Sequence, residues 1–268
     1  MILRFLKKHY AHPLAENLDL DSSSAIAVHR RMIRENPLLM RYYASMYTYF
    51  KEKEEELASL KLSSLEIGSG AGFLKDFLPG VITSDVVAGA GIDRVEDACR
   101  MSFADHSLKA VYANGVLHHI GDPACCLAEI QRVLAPGGVF VCNEPSSTAL
   151  GYFMNKHFHH EPTDKNVAGW GFKAEEFGSG RLTGANVALP SLIFRRDAKV
   201  FHEKFPCLKI ESIKYHDFLR YALSGGLSFR PFVPSFLYWV VDAAEILFKP
   251  FMFLVGQEML VTIRKIKG

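Results

Sequence analysis

The 268-residue sequence lacks the features that mark several large classes of protein. Near the carboxyl end, the longest uncharged apolar stretch is residues 232–241, far short of the roughly 20 residues that a membrane-spanning helix needs. No block of Lys and Arg resembles a phosphate-tracking patch, and a net charge of +2 gives no reason to expect nucleic acid. Lys7 and Lys8 follow too short an apolar run for a secretory signal, which favours a cytoplasmic protein.

Cysteine is scarce, and the five present are an odd number without the paired spacing of a zinc site. This usage predicts reduced thiols. The adjacent Cys125 and Cys126 fall in a predicted helix and are interpreted as small helix or core residues, not as a redox pair.

Strand-like and helix-like segments alternate through the middle of the chain, which predicts a parallel, doubly wound α/β sheet. The predicted strands are residues 62–67, 81–84, 91–95, 110–113 and 139–142. Helices are predicted at 73–78 and from Asp122-Pro123 to Pro136-Gly137-Gly138. Only five residues separate Asp85 from Gly91, so an irregular loop replaces the usual crossover helix there. Residues 210–215 and 259–265 are expected to close the sheet as an antiparallel edge pair.

Two segments flank this alternation. Residues 1–61 predict an N-terminal helical cover, with one helix ending at Asn36-Pro37 and a second carrying Tyr42, Tyr43 and Tyr47 on one face. These tyrosines are interpreted mainly as core, with a substrate-pocket lining as the alternative. Residues 62–268 form the remaining domain, in which 145–205 are an insertion on the acceptor side.

The run from Leu65 to Phe73 predicts a buried strand, a glycine turn and a helix start. Glycines allow positive φ angles and let a ligand approach the backbone. Their spacing is Gly-x-Gly-x-Gly, which disfavours the dinucleotide fingerprint and a nicotinamide-dependent oxidoreductase. The acidic Glu66 at the strand end favours a cationic ligand over a pyrophosphate.

Several segments in this order resemble the class I S-adenosylmethionine-dependent methyltransferases, in particular the small-molecule branch called type 11. They are residues 65–73, Asp85, 97–105, 114–120 and 132–138, within a region of about 62–145. The resemblance implies a Rossmann-like sheet of seven mostly parallel strands with an antiparallel edge strand. It also implies S-adenosyl-L-methionine as cofactor and S-adenosyl-L-homocysteine as product.

The resemblance further implies which residues bind the cofactor. Glu66 and Asn114 would lie near the methionine end, and Asp85 would accept from the ribose hydroxyls. Asp97 with Ala98 would contact adenine, although a turn or helix cap is an alternative role for Asp97. The glycine turn would contribute Gly68, Ser69, Gly70 and Gly72.

Two histidine clusters are candidates for removing a proton from the acceptor. His118 and His119 follow the fourth strand, where His119 either acts in catalysis or holds the loop. His157, His159, His160 and Glu161 lie in the insertion, and we interpret His157 or His160 as a base or acceptor contact. No metal is expected, because ligands crowded within five residues rarely converge on one ion without help from elsewhere.

These features predict methyl transfer from S-adenosylmethionine to an oxygen or nitrogen of a small biosynthetic molecule, such as a sugar or a lipid-linked intermediate. The alternative is a partner subunit that binds the cofactor without performing transfer. The apolar residues 232–256 leave room for peripheral contact with a membrane surface.

Overall fold

The computed structural model describes residues 9–15, 18–19, 22–159, 161–171 and 184–266. Its strands are β1 (Ser63–Ile67), β2 (Ile82–Asp85), β3 (Arg94–Val95), β4 (Leu108–Asn114), β5 (Leu134–Pro145), β6 (Leu208–His216) and β7 (Glu258–Lys265). Its α-helices are α1 (Ser23–Glu35), α2 (Pro37–Glu56), α3 (Pro123–Val133), α4 (Ala149–Phe158), α5 (Leu189–Ser191), α6 (Ala198–Lys204), α7 (Arg220–Ser224), α8 (Tyr238–Phe248) and α9 (Met252–Val255).

The seven strands form one sheet in the order β3-β2-β1-β4-β5-β7-β6. The first five strands pair in parallel, and β7 runs antiparallel to both β5 and β6. The predicted fold class is therefore confirmed, including the antiparallel pair at one edge. The irregular connection is confirmed as well, because residues 86–93 between β2 and β3 contain no helix.

Three predicted elements differ from the structure. The strand expected at 91–95 is only Arg94–Val95. The helix expected at 73–78 is a single 3-10 turn, Leu74–Asp76, because buried Phe73 and Leu74 pack against α2. The fifth strand begins at Leu134 instead of 139, so Pro136-Gly137-Gly138 lies inside it. A Cβ at Gly138 would come within 2.8 Å of the Lys109 carbonyl oxygen, so the close pairing of β4 with β5 requires glycine there.

Each face of the sheet buries a separate apolar cluster. On one face, Tyr47 and Phe50 of α2 pack with Tyr112 and Val141 of the sheet. On the other face, the apolar stripe of α3 meets α6 through side chains that include Leu127, Ile130 and Phe201. The helix α2 therefore covers the sheet, while the division of the chain at residue 61 stays a prediction.

Cys99 and Cys125 form a disulfide with their Cα atoms 4.9 Å apart, so the expectation of five reduced thiols is wrong. The two cysteines are 26 residues apart in the sequence, so no local motif predicts that they pair. The fold brings the loop after β3 next to the start of α3, where the two cysteines lie. Cys126 and Cys142 are buried free thiols, which agrees with the interpretation of Cys126 as a small core residue.

In the part of the chain that the structure describes, no helix is long and apolar enough to cross a membrane. The segment around α8 and α9 nevertheless exposes several large apolar side chains, here called the α8 face. They are Phe236, Trp239, Val240, Ile246, Leu247, Phe251, Phe253 and Leu254. Within residues 234–255, Lys249 is the single exposed charged residue, since Asp242 is half-buried and Glu245 is buried.

Candidate active site

The turn after β1 is built by glycines that the backbone requires. Gly68 and Gly70 have positive φ angles of 59° and 45°, which other residues rarely adopt. Added Cβ atoms would also collide, at Gly68 with the Val116 side chain (2.4 Å) and at Gly72 with the Tyr47 hydroxyl (2.6 Å). The turn therefore packs between α2 and the segment after β4. Its glycines line a cavity, which the residues described below also line.

Asp85, at the end of β2, holds this turn in place. Its Oδ2 accepts from the Gly70 N–H at 2.9 Å, and its Oδ1 accepts from the Val87 N–H at 3.2 Å. Arg30 of α1 supports the same turn by donating to the carbonyl oxygens of Gly70 (3.2 Å) and Ala71 (3.4 Å). The sequence offered no motif for Arg30, because its partners lie 40 and 41 residues away.

Glu66 of β1 is 2% exposed, and its carboxyl group lines the cavity above the glycine turn. Its Oε2 is buried without a hydrogen-bond partner among the described residues. Burial raises the pKa of Glu66 to about 8. A positively charged ligand group at this oxygen would supply the missing partner.

The adenine-side candidates lie away from the cavity wall. Asp97 is exposed, and its Oδ1 accepts from the Cys99 N–H at 2.8 Å, which is the geometry of a turn. Ala98 packs against the apolar core under the sheet. The residues that line the cavity beside the glycine turn include neither of them, nor Asp85.

Asn114, the last residue of β4, lines the cavity and belongs to a buried polar network. Its Oδ1 accepts from Asn143 Nδ2 at 2.9 Å, and the same amide donates to the Tyr42 hydroxyl at 2.9 Å. The other side of Asn143 meets His216, whose Nε2 lies 2.6 Å from Oδ1. This network fixes Asn114 beside the glycine turn.

His118 and His119 form a 3-10 turn after β4, and both line the cavity. Burial lowers the pKa of His118, but the carboxylates of Glu144 and Glu161 outweigh burial and raise it to about 10. Burial and the neighbouring His118 lower the pKa of His119 to about 4. The pair thus combines a charged and a neutral imidazole beside two carboxylates.

The other predicted histidines fall in different places. His157 is exposed on α4, where its ring packs 4.8 Å from that of Phe153, and it does not line the cavity. His159 does line it, with Nδ1 accepting from the Glu161 N–H at 3.2 Å. His160 lies outside the described residues.

These groups surround one cavity of about 410 Å³. The glycine turn and Glu66 form one part of its wall, while His118, His119 and Glu161 form another. Tyr42, Tyr43 and Tyr47 of α2 also line it, and all three belong to the buried apolar cluster on that face of the sheet. The interpretation of the tyrosines as core is therefore confirmed, while a contact with substrate stays a prediction. Two other lining residues, Tyr221 and Glu258, come from the last third of the chain and were missed because no local motif surrounds them.

Residues 65–142, which contain the glycine turn and both histidines after β4, match the family model described as a methyltransferase domain. Over these residues the chain is similar to methyltransferase domains. This similarity makes S-adenosylmethionine the cofactor expected beside the glycine turn.

Two curated methyltransferases match short parts of the chain. A ubiquinone/menaquinone biosynthesis C-methyltransferase of Desulfotalea psychrophila (strain LSv54 / DSM 12343) is 38% identical over 77 residues, 27% of this chain and 31% of that protein. An uncharacterized chloroplastic methyltransferase of Arabidopsis thaliana is 49% identical over 45 residues, 17% of this chain and 13% of that protein. The chain thus spans less than a third of the length of these relatives.

Solved methyltransferase structures resemble the whole chain more loosely. The crystal structure of geranyl diphosphate C-methyltransferase from Streptomyces coelicolor A3(2) aligns with 15% identity and a TM-score of 0.44. The alignment covers 98% of this chain and 97% of that one. Similarity at this level carries no argument about substrate.

Proposed function

We propose that the chain transfers a methyl group from S-adenosylmethionine to an oxygen or nitrogen atom of a small-molecule acceptor. The observation that carries the proposal is the shared cavity, in which the glycine turn with Glu66 and the His118-His119-Glu161 cluster line the same space. Methyl transfer needs donor and acceptor groups aligned within one enclosed site. A subunit that only binds the cofactor would not need His118, His119 and Glu161 in the cavity wall.

The residues present fit the cofactor. The unpartnered buried Oε2 of Glu66 can accept from the ammonium group of the methionine moiety. Gly68, Gly70 and Gly72 line the cavity, so the backbone of the turn is accessible to the ligand. The bound cofactor supplies a methyl group on a sulfonium, which is already electrophilic, so the acceptor's lone pair takes the methyl carbon and the C–S electron pair stays on sulfur.

The protein's own contribution is to position the reactants and remove a proton. Asp85 holds the glycine turn through Gly70, and its contact with the ribose hydroxyls stays a prediction. Asn114 lines the same cavity, and we assign it a place near the methionine end of the cofactor. His119 is neutral near pH 7 and can accept the acceptor's proton. A role as the base stays a prediction for His160 and for His157, which is exposed.

Calorimetry with S-adenosylmethionine and S-adenosylhomocysteine tests the cofactor assignment. We expect binding to the wild-type chain and a weaker affinity for Glu66→Gln, which keeps the size of the side chain but not its negative charge. Formation of S-adenosylhomocysteine with a panel of hydroxylated aromatic, sugar and amine acceptors tests the transfer. Absence of cofactor binding would overturn the proposal.

The identity of the methylated atom needs a separate measurement. The Desulfotalea psychrophila relative is named a C-methyltransferase, so a carbon acceptor is the competing result. NMR of the purified product distinguishes the chemical shift of a methyl group on oxygen or nitrogen from that of a methyl group on carbon. A carbon-bound methyl would retain the methyltransferase assignment and overturn the oxygen or nitrogen acceptor.

The α8 face supports contact with an anionic lipid surface and hence a lipid-linked acceptor. It combines an exposed Trp239 with the single exposed cation Lys249, a composition that suits the membrane interface. It is also close to the cavity, because α9 packs against α4, and Met154 and Phe158 of α4 line the cavity. An apolar acceptor could therefore enter from the membrane side.

Co-sedimentation with vesicles of phosphatidylcholine, with and without phosphatidylglycerol, tests this contact. We expect binding to the anionic vesicles, lost in Trp239→Ser/Ile246→Ser and kept in Val200→Ser, an exposed apolar position elsewhere. Failure to sediment with either vesicle would overturn the lipid contact. A dimer in solution that the double variant dissociates would overturn it in favour of self-association.

A further inference from the structure

Three potential metal ligands converge in the cavity wall from two separate segments. His118 and His119 come from the turn after β4, and Glu161 comes from the segment after α4. His118 Nε2 lies 3.4 Å from Glu161 Oε2, and His119 Nε2 lies 3.6 Å from Glu161 Oε1. One donor atom from each residue can be chosen so that all three lie within 4.8 Å of one another.

The opposite nitrogen of each imidazole has an acceptor that fixes the ring. His118 Nδ1 lies 2.7 Å from Glu144 Oε2, and His119 Nδ1 lies 3.3 Å from the carbonyl oxygen of Gly184. Metal-binding histidines usually donate their other ring N–H to a carboxylate or a backbone carbonyl, which orients the ring and selects the tautomer. Both histidines therefore show the supporting contacts of metal ligands, with Nε2 directed towards Glu161. Because His118 is charged in the free site, an ion would bind its Nε2 by displacing the proton on that nitrogen.

The distances to Glu161 also fit an ion better than direct hydrogen bonds. Protein N–H···O bonds are typically 2.7–3.2 Å long, shorter than the separations of 3.4 and 3.6 Å observed here. Two ligands on a tetrahedral zinc ion, each bound at about 2.0–2.1 Å, lie about 3.3 Å apart. When the neutral ring of His119 donates from Nδ1, the lone pair on its Nε2 faces an oxygen of the Glu161 carboxylate, and the two repel each other. A cation between the nitrogen and the oxygen would replace this repulsion by attraction to both.

We propose that His118 Nε2, His119 Nε2 and the Glu161 carboxylate bind one divalent first-row transition ion, with zinc as the reference probe. Two imidazoles and one carboxylate are a known catalytic zinc ligand set, and the same set with open positions binds ferrous iron. The carboxylates of Glu144 and Glu161 offset the charge of the ion. All three ligand residues line the cavity that also contains the glycine turn.

The sequence-based expectation of no metal rested on residues 157–161 alone. Within that segment the side chains are too crowded to surround one ion. The structure brings the missing ligands from His118 and His119, which precede Glu161 by more than 40 residues. The site thus depends on the turn after β4 folding against the segment after α4.

The ion deepens the proposed function, on which this step rests, by selecting an oxygen acceptor. A hydroxyl group held by such an ion would lose its proton to water more readily, since a divalent ion lowers the pKa of bound hydroxyl groups. The oxygen lone pair would then form the C–O bond while the C–S bond breaks, and the electron pair of the C–S bond would stay on sulfur as S-adenosylhomocysteine leaves. With the ion bound, His119 acts as a ligand and not as the base. An acceptor with two neighbouring oxygens, such as a catechol or a β-dicarbonyl compound, suits two open positions.

Direct metal binding tests the site without any methyl acceptor. Tag-free, chelator-treated full-length protein is titrated with Zn²⁺ by calorimetry and with Co²⁺ by visible absorption, which reports coordination by nitrogen and oxygen. We expect one ion per chain, and affinity at least tenfold lower in Glu161→Gln and in His119→Ala. Glu144→Gln, which changes only the supporting contact, should lose 10- to 100-fold.

His157→Ala serves as the matched control, since His157 is exposed nearby on α4 and does not line the cavity. It should keep the wild-type affinity for Zn²⁺. Far-ultraviolet circular dichroism and binding of S-adenosylmethionine verify that each variant folds. Absence of stoichiometric Zn²⁺ binding, or binding unchanged in Glu161→Gln and His119→Ala, would overturn the metal site. Cofactor binding without metal binding would overturn only the metal, whereas metal binding without cofactor binding would overturn only the methyltransferase function.

Discussion

The Oε2 atom of Glu144 lies 2.7 Å from Nδ1 of His118, in a position with no solvent exposure. Its other oxygen, Oε1, accepts from the N–H groups of Val116 (3.0 Å) and Leu117 (2.7 Å). One side chain at the end of β5 therefore satisfies three donors of the turn after β4. This turn carries both histidines that line the cavity, so Glu144 sets the geometry of the acceptor side.

Glu144→Ala should destabilise the protein by about 3–5 kcal/mol, because it leaves buried donors of the neighbouring turn unsatisfied. Glu144→Gln should cost less, since its amide oxygen can still accept from the Val116 and Leu117 N–H groups. Urea unfolding at pH 7 measures both. Glu211→Gln is the control, because its ion pair with Arg264 is exposed and worth about 0–1 kcal/mol. Equal effects at Glu144 and Glu211 would contradict the role assigned to Glu144.

Gly72→Ala should weaken cofactor binding and destabilise the glycine turn. A Cβ at this position would lie 2.6 Å from the Tyr47 hydroxyl oxygen and 2.8 Å from the Ser69 carbonyl oxygen, so the turn must move away from α2. We expect affinity for S-adenosylmethionine, measured by calorimetry, to fall at least tenfold. Gly80→Ala, with nothing within 4 Å of its Cβ, should bind normally. Wild-type affinity in Gly72→Ala would show that the turn tolerates this displacement.

Much of the fold could be predicted from the sequence, because each parallel strand is a short apolar run with turn residues beside it. The antiparallel pair of β6 and β7 was also predictable from two late runs of strand-forming residues. The failures concern packing. The local sequence does not show that Phe73 and Leu74 pack against α2, which shortens the predicted helix to one turn. It also does not show that Gly138 allows β5 to begin at Leu134.

The candidate site was predictable where its residues are close in sequence and not where tertiary contacts assemble it. Glu66 and the glycines form one local motif, and the structure places them on the cavity wall. The contacts of Arg30 with this turn, and of Glu161 with His118, join residues about 40 positions apart. The disulfide between Cys99 and Cys125 was hidden for the same reason.

Binding of S-adenosylmethionine should depend on pH through Glu66. Burial raises the pKa of its carboxyl group to about 8 in the free site, so the group is mostly protonated at pH 7. A cationic cofactor favours the ionised form, and binding then releases a proton. The affinity ratio of wild type to Glu66→Gln should therefore rise up to tenfold per pH unit between about pH 6 and 8. Calorimetry across this range measures both affinities. Their ratio is free of the effect of protonation of the ligand, because that effect is the same for the two proteins. A constant ratio would contradict the contact.

Asp217 should make the folded protein less stable as the pH rises from about 4 to 7. Burial and the nearby Glu245 raise its pKa from the ordinary 3.8 to about 7, so in this range the folded chain retains a proton that the unfolded chain has lost. Stability must then decrease by up to about 1.4 kcal/mol per pH unit and level off above pH 7. Asp217→Asn removes this loss, and asparagine tolerates the positive φ of 57° at this position. An asparagine oxygen can also still accept from the Tyr221 N–H, as the carboxylate does at 3.2 Å and 3.1 Å. Urea unfolding of both proteins at pH 5 and pH 7.5 should show the variant gaining stability relative to wild type at the higher pH, and equal differences at both pH values would refute the assignment.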